Sequence, residues 1–341
     1  MPNAASLPLF VRIRQHGRRR AIVDKDGTHS YDALLRDASR VAASLLEDGR
    51  RMDLDEERVA FLITPSYCWV SVLWGIWLAG GIAVPLPLGA PAAELEYLLD
   101  DTQAEAIIFD EANETIVRSL AATRSLRAHG CANLLTHTET VLPAITPERR
   151  AMILYTSGTT SRPKGVVTTH ANITAQVATL VAAWEWSADD RILLCLPLHH
   201  VHGIINIVSC AMWSGAICEM LPRFDAKTVW ERIASGELTL FMAVPTIYLK
   251  LIAEWETSPR ERQRILSKGA AKLRLMVSGS AALPVGTLKR WKEITGHTLL
   301  ERYGMTEMGM ALSNSYRGQR IPGSVGTPLP GVEVRLVDER G

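Results

Sequence analysis

Residues 155–165 read Tyr155-Thr156-Ser157-Gly158-Thr159-Thr160-Ser161-Arg162-Pro163-Lys164-Gly165. Five Ser/Thr hydroxyls, two glycines and two cations in eleven positions describe a loop built around phosphate. Glycine lets the backbone approach closely, hydroxyls and successive N–H groups donate to anionic oxygens, and Arg162 and Lys164 balance the charge. The apolar run Ala151–Leu154 before it has the length of one buried strand, and Asn172 beyond it is placed to cap a helix. The spacing is not that of a Walker A loop. Counted from Gly158, that pattern needs glycine at Pro163 and a hydroxyl residue at Gly165.

Outward from this loop, strand-like and helix-like stretches alternate. Upstream, the patterning predicts a helix over 31–47, a strand over 59–63, a buried helix over 66–78, a strand over 82–86, a helix over 92–99 and a strand over 106–109. Downstream, it predicts strands over 191–196, 216–221, 238–244, 273–277 and 299–307, the last emerging into a turn. Helices are expected over 204–213, 225–233, 246–254 and 284–294. Residues 113–147 carry little pattern, 258–272 reads as a charged exposed patch, and 332–337 as a closing strand. Such alternation specifies an α/β fold: layered, mostly parallel sheets flanked by helices. The expected division is 1–147 and 148–320 as two α/β subdomains, the second bearing the phosphate loop, with 321–341 starting a small β subdomain.

The 341 residues carry a net charge of +1, which leaves no electrostatic footprint for nucleic acid. Five cysteines without C-x-x-C spacing suit buried thiols in a reducing compartment better than disulfides or zinc. Residues 59–93 contain no charged side chain, a length that could span a bilayer. Gly75, Gly80, Gly81, Pro85 and Pro87 divide it, so strand, helix and strand of a protein core are expected instead of a membrane span. No apolar segment follows the first charges, so no secretory signal is expected. The expected location is the cytoplasm, or an organelle matrix with its targeting peptide absent.

In open α/β sheets, ligands sit beyond the carboxyl ends of strands. Four polar clusters follow directly on predicted strands: the phosphate loop, His199–His202, Ser278–Ala282 and Arg302–Glu307. That shared position places them in one site. Taken in order, they resemble motifs of the adenylate-forming (AMP-binding) superfamily of acyl-CoA synthetases, luciferases and peptide-synthetase adenylation domains. The loop departs from the family pattern Thr-Ser-Gly-Thr-Thr-Gly-x-Pro-Lys-Gly once, with Ser161 in place of glycine, which costs it freedom at positive φ. Gly323-Ser324-Val325-Gly326-Thr327-Pro328 resembles the segment that follows.

The resemblance implies roles residue by residue. Thr156, Ser157, Gly158, Thr159, Thr160, Ser161 and Lys164 would meet the nucleotide phosphates, and the backbone of Gly279, Ser280 and Ala281 would approach adenine. Glu301, Arg302, Tyr303, Gly304, Met305 and Thr306 would also face the nucleotide, with Tyr303 stacked on adenine and Thr306 at the α-phosphate. Glu307 and Thr156 would hold Mg²⁺. Pro197–His200 would line the acyl pocket, with His199, His200 and Val201 beside the acid. Lys164, His200, Thr306 and Glu307 form the implied catalytic set. The implied chemistry joins a carboxylate to the α-phosphorus of ATP, releases pyrophosphate, and passes the acyl group to coenzyme A.

Arg302 bears on which acid is activated. A buried guanidinium needs a carboxylate, and one supplied by the substrate would be bound bidentately and selectively. An internal acid is the alternative partner. His199–Gly203, Met276–Pro284 and Leu300–Glu307 resemble malonyl-CoA synthetases in particular, which implies malonate, with methylmalonate as a second substrate. An acyl-CoA synthetase for another short carboxylic acid, an amino-acid-adenylating domain and a non-catalytic nucleotide-binding relative are the rival readings. Family members continue past the equivalent of Gly341 with a Thr-Gly-Asp segment, a hinge and a small C-terminal domain. The chain is therefore expected to match the large N-terminal part and to adenylate poorly alone.

Overall fold

A computed structural model describes residues 7–137, 140–156 and 162–338. The charge-free stretch forms a core helix, Tyr67–Leu78, in which every residue but Cys68 is buried. Ser66 caps it by accepting from the Trp69 N–H. Trp77 Nε1 donates to the Ala151 carbonyl at 2.7 Å, pinning the helix to the strand that leads into the phosphate loop. The helix Tyr31–Leu45 crosses it at Gly75, where a Cβ would lie 2.4 Å from Val41 Cγ1 and 3.0 Å from the Ala38 carbonyl oxygen. Only glycine permits that approach. No described helix is long and apolar enough to cross a membrane.

Two sheets flank these helices among the described residues. One has six strands in the order Arg127–Gly130, Ala106–Phe109, Arg58–Leu62, Ile82–Pro85, Arg150–Thr156 and Lys164–Thr169. All neighbours run parallel except the last two, which form a hairpin around the phosphate loop. The other has nine strands in the order Thr327–Pro328, Gly309–Ser313, Leu300–Met305, Leu275–Ser278, Leu240–Ala243, Arg191–Leu194, Ile217–Met220, Arg20–Asp24 and Gly27–Ser30. Its six central strands, from Leu300–Met305 to Arg20–Asp24, are parallel and the flanking pairs antiparallel. The central strands of both sheets are buried on both faces, as parallel sheets covered by helices must be. The layered α/β architecture is as expected.

Several local expectations need correction. The helix after the phosphate hairpin is His170–Ala183, capped by Thr169, with Asn172 at the third position completing a reciprocal capping box. Residues 258–272 are not a loose patch. They contain the helix Arg260–Ala270, charged on its outer face, with Leu266, Gly269 and Ala270 buried. The weakly patterned region holds a helix, Glu114–Ala122, and the edge strand Arg127–Gly130. The helix expected over 204–213 begins at His202 and is wound as a π-helix to Ser209 before Cys210–Ser214 continues it. The Ser209 hydroxyl donates to the Ile204 carbonyl there, satisfying an acceptor that the wide winding exposes. Residues 332–338 form no strand. Their alternating Val332, Val334 and Leu336 meet no partner strand among the described residues, and Leu336 is 96% exposed.

Candidate active site

The carboxyl ends of strands from both sheets converge on one cavity of about 490 Å³. Thr156 enters it from the end of the six-stranded sheet's Arg150–Thr156 strand. The nine-stranded sheet supplies the rest at successive strand tips: Leu196, Pro197, His200, Val201 and His202, then Val244, then Ser280, then Arg302 and Gly304–Glu307, with Met310 from the returning strand. Each of the four polar clusters read in the sequence therefore contributes at least one described residue to this cleft: Thr156, His200, Ser280 and Arg302 among them. A second cavity of about 600 Å³ shares Val201, Thr306, Glu307 and Met310 with the first. A third, about 510 Å³ and largely apolar, shares Leu196, Pro197, His200 and Val244, and is also lined by His199, Arg223 and Lys250.

Arg302 is the unusual charge. It is 3% exposed, and its guanidinium has no acidic partner among the described residues. Nη2 donates to Ser280 Oγ at 3.2 Å, while Nε is buried without a partner. Burial lowers its pKa to about 10. The fold treats its other buried charges differently. Asp190 receives a bidentate pair from Arg274 at 2.7 and 2.6 Å, Glu219 binds Arg191 and Arg232, and Glu57 binds Arg51 and Arg127. Glu301, next to Arg302 but on the other face of the strand, accepts from the Gly323 N–H at 3.0 Å, and burial raises its pKa. Gly279 is what lets Arg302 lie where it does: a Cβ on Gly279 would sit 2.4 Å from Nε and 2.5 Å from Cζ.

The histidines differ in their surroundings. His202 is 3% exposed and burial, aided by the Arg302 charge, drives its pKa well below the usual 6.5. His199 is held to about 4 by burial and then by His200, whose ring centroid lies 4.1 Å away. His200 is open to the cleft, yet its crowded walls lower its pKa too. With their pKa values lowered, all three are neutral at physiological pH and can donate or accept a hydrogen bond without adding charge.

Not every expected residue enters the wall of the central cavity. Lys164 is exposed and sits directly across the hairpin from Thr156. Tyr303 is 46% exposed at the strand end, Ala281 is exposed, Gly279 is buried against Arg302, and Glu301 turns to Gly323. His199 lines the neighbouring apolar cavity. Ser157, Gly158, Thr159, Thr160 and Ser161 lie outside the described residues. Immediately after them, Tyr97 donates to the Pro163 carbonyl at 2.9 Å and stands 5.6 Å beneath the Arg162 guanidinium, fixing the return strand. Leu196, Val244 and Met310 line the cavity without having been singled out, whereas His202 belongs to the cluster His199–His202 read from the sequence. Val244 also follows a strand tip, so position could have found it.

The AMP-binding enzyme family matches residues 9–341, and the chain belongs to it. It is 44% identical over 98% of its length to the mitochondrial malonate–CoA ligase ACSF3 of Mus musculus, covering 60% of that protein. The ATP-bound MatB of Rhodopseudomonas palustris superposes with a TM-score of 0.87 at 32% identity, over 99% of this chain and 67% of that one. A malonyl-CoA ligase with methylmalonyl-CoA and AMP bound gives 0.81 at 29% identity, over 94% and 65%. The chain spans about three-fifths of the length of the curated relatives it matches.

Proposed function

We propose that this chain carries the nucleotide- and acid-binding part of an ATP-dependent malonate–CoA ligase. The observation that carries the reading is Arg302: a buried guanidinium without a carboxylate partner among the described residues, in the wall of the cavity that Thr156, Thr306 and Glu307 also line. Leaving such a cation unpaired costs several kcal/mol, so a substrate that supplies a second carboxylate is bound selectively and a monocarboxylic acid is penalised. The names of the relatives support malonate, and the methylmalonyl-CoA in one related structure supports methylmalonate as a second acid.

In this reading one carboxylate of malonate pairs with Arg302 and the other attacks the α-phosphorus of ATP. An oxygen–phosphorus bond forms and pyrophosphate leaves. Lys164 and the loop Ser157–Ser161 hold the departing phosphates, and the Thr306 hydroxyl donates to the α-phosphate oxygen as charge builds there. Ser280 and Ala281 border the base, Tyr303 stacks on it, Gly304 and Met305 complete that wall, and Gly279 and Glu301 support it from behind. The Thr156 hydroxyl and the Glu307 carboxylate are hard oxygen donors on one cavity, a set that fits Mg²⁺ alongside phosphate oxygens. When bound, the ion neutralises phosphate charge. The thiol of coenzyme A then attacks the acyl carbon and AMP departs. His200, which faces both the nucleotide cavity and the apolar one, is neutral and stands between acid and thiol, with His199 and Val201 flanking it. The compartment is an aqueous one, cytoplasm or organelle matrix.

The test is acid-dependent pyrophosphate release across mono-, di- and amino acids, with the protein in a form as long as its relatives. Malonate should give the highest kcat/KM. Acetate, octanoate or an amino acid outcompeting malonate would sink the assignment.

A further inference from the structure

The acid site turns on Arg302, and the groups that hold it reach one residue further. Its Nη2 donates to Ser280 Oγ at 3.2 Å, and the same oxygen lies 3.2 Å from His202 Nδ1. A guanidinium has only donors, so Ser280 Oγ accepts from it, which leaves both its own proton and a second lone pair for Nδ1. The positive charge on that side of the ring favours a lone pair at Nδ1 and the proton at Nε2. The hydrogen bonds then run one way: Arg302 to Ser280 to His202. Ser280 is exposed and holds φ at +68°, a left-handed conformation uncommon for a residue with a Cβ. His202 makes its one hydrogen bond among the described residues to this chain, its Nε2 being buried without a partner there. His202 also lines the cavity that Arg302 lines, and it begins the π-helical turn, a winding often found at functional sites.

We propose that His202 is a positioning residue for acid selection: through Ser280 it fixes the Arg302 guanidinium, so that the second carboxylate meets a cation already oriented. The proposal rests on the malonate reading above. Because His202 is neutral, it orients the cation without adding a second positive charge, and one guanidinium remains matched to one carboxylate. His202 is thus part of the specificity device without touching the reacting atoms.

The experiment titrates malonate and acetate into the chain saturated with a non-hydrolysable ATP analogue, for the wild type, His202→Phe and His202→Asn. Loosening the guanidinium should weaken malonate binding in His202→Phe roughly tenfold, with acetate and nucleotide affinities within about twofold of wild type. His202→Asn, whose amide reaches the Nδ1 position, should restore most of the loss. An unchanged malonate preference in His202→Phe, or a joint loss of malonate, acetate and nucleotide, overturns the positioning role. A wild type that does not prefer malonate overturns the malonate reading itself, and the positioning role with it. The imidazole ¹⁵N spectrum of the wild type needs no variant: His202 protonated at Nε2 supports the chain, and protonation at Nδ1 breaks it.

Discussion

Gly279→Ala tests the acid site without changing any charge. The new Cβ would lie 2.4 Å from Arg302 Nε, 2.5 Å from Cζ and 2.8 Å from Cδ, whereas non-bonded contacts of this kind settle near 3.5 Å, so the guanidinium must retreat by about 1 Å. Arg302 is 3% exposed and cannot swing into solvent to relieve the clash. The backbone at Gly279 has no positive φ, so alanine itself is tolerated there and the strain falls on the arginine. A displacement of about 1 Å in a charge-assisted pair costs on the order of 10²-fold, or about 2.7 kcal/mol. Malonate affinity, read by calorimetry in the presence of an ATP analogue, should fall by that factor. Nucleotide affinity should hold, and so should the thermal midpoint to within a few degrees. Malonate affinity within twofold of wild type in a folded Gly279→Ala chain would show that the position of Arg302 does not govern acid recognition.

Further outcomes follow from the same geometry. Arg274→Met strands Asp190, whose side chain is 2% exposed, and should destabilise the fold by roughly 3–5 kcal/mol in urea titration; a cost below about 1 kcal/mol would show that Ser187 and Thr239 suffice as partners. His170 is held to about 4 by burial, against 6.5 in the unfolded chain, so the unfolded state binds more protons between those values and stability declines as pH falls through that window. At pH 5 that single group costs about 2 kcal/mol relative to pH 8, and His170→Leu should show a correspondingly shallower decline between the two pH values. An equal decline in both proteins would assign the acid sensitivity elsewhere. Glu307→Gln should lower malonate-dependent pyrophosphate release on the order of 10²-fold while malonate binding persists; unimpaired release would remove Glu307 from the phosphate chemistry.

Much of this was legible in the sequence because the responsible signals are local. The run from Tyr67 to Leu78, broken by Gly75 and closed by the glycines at 80 and 81, announces a buried helix between two strands, and Asp225 announces the helix it caps. The polar clusters lie just past apolar runs, which is where strand tips put ligand-binding groups. What stayed hidden depends on distant partners. Nothing near Arg20–Asp24 shows that it joins Ile217–Met220, or that the phosphate hairpin closes the other sheet. The helix Arg260–Ala270 hides its apolar stripe among charges, and Gly269 shows its purpose only once Ala234 is found 2.5 Å from where a Cβ would stand. A strand over 332–337 was suggested by alternation, but alternation does not supply a neighbour to pair with. The sequence could pose the question of what Arg302 pairs with. Only the packing answers that no acid among the described residues reaches it.

Replacing that arginine gives the most direct test. In Arg302→Met, calorimetric titration with malonate in the presence of an ATP analogue should show affinity lowered by roughly 10²-fold, the loss of one buried charge-assisted pair of about 3 kcal/mol, with acetate and nucleotide binding retained. Malonate bound as tightly as by the wild type, or malonate and nucleotide weakened equally, would contradict the account.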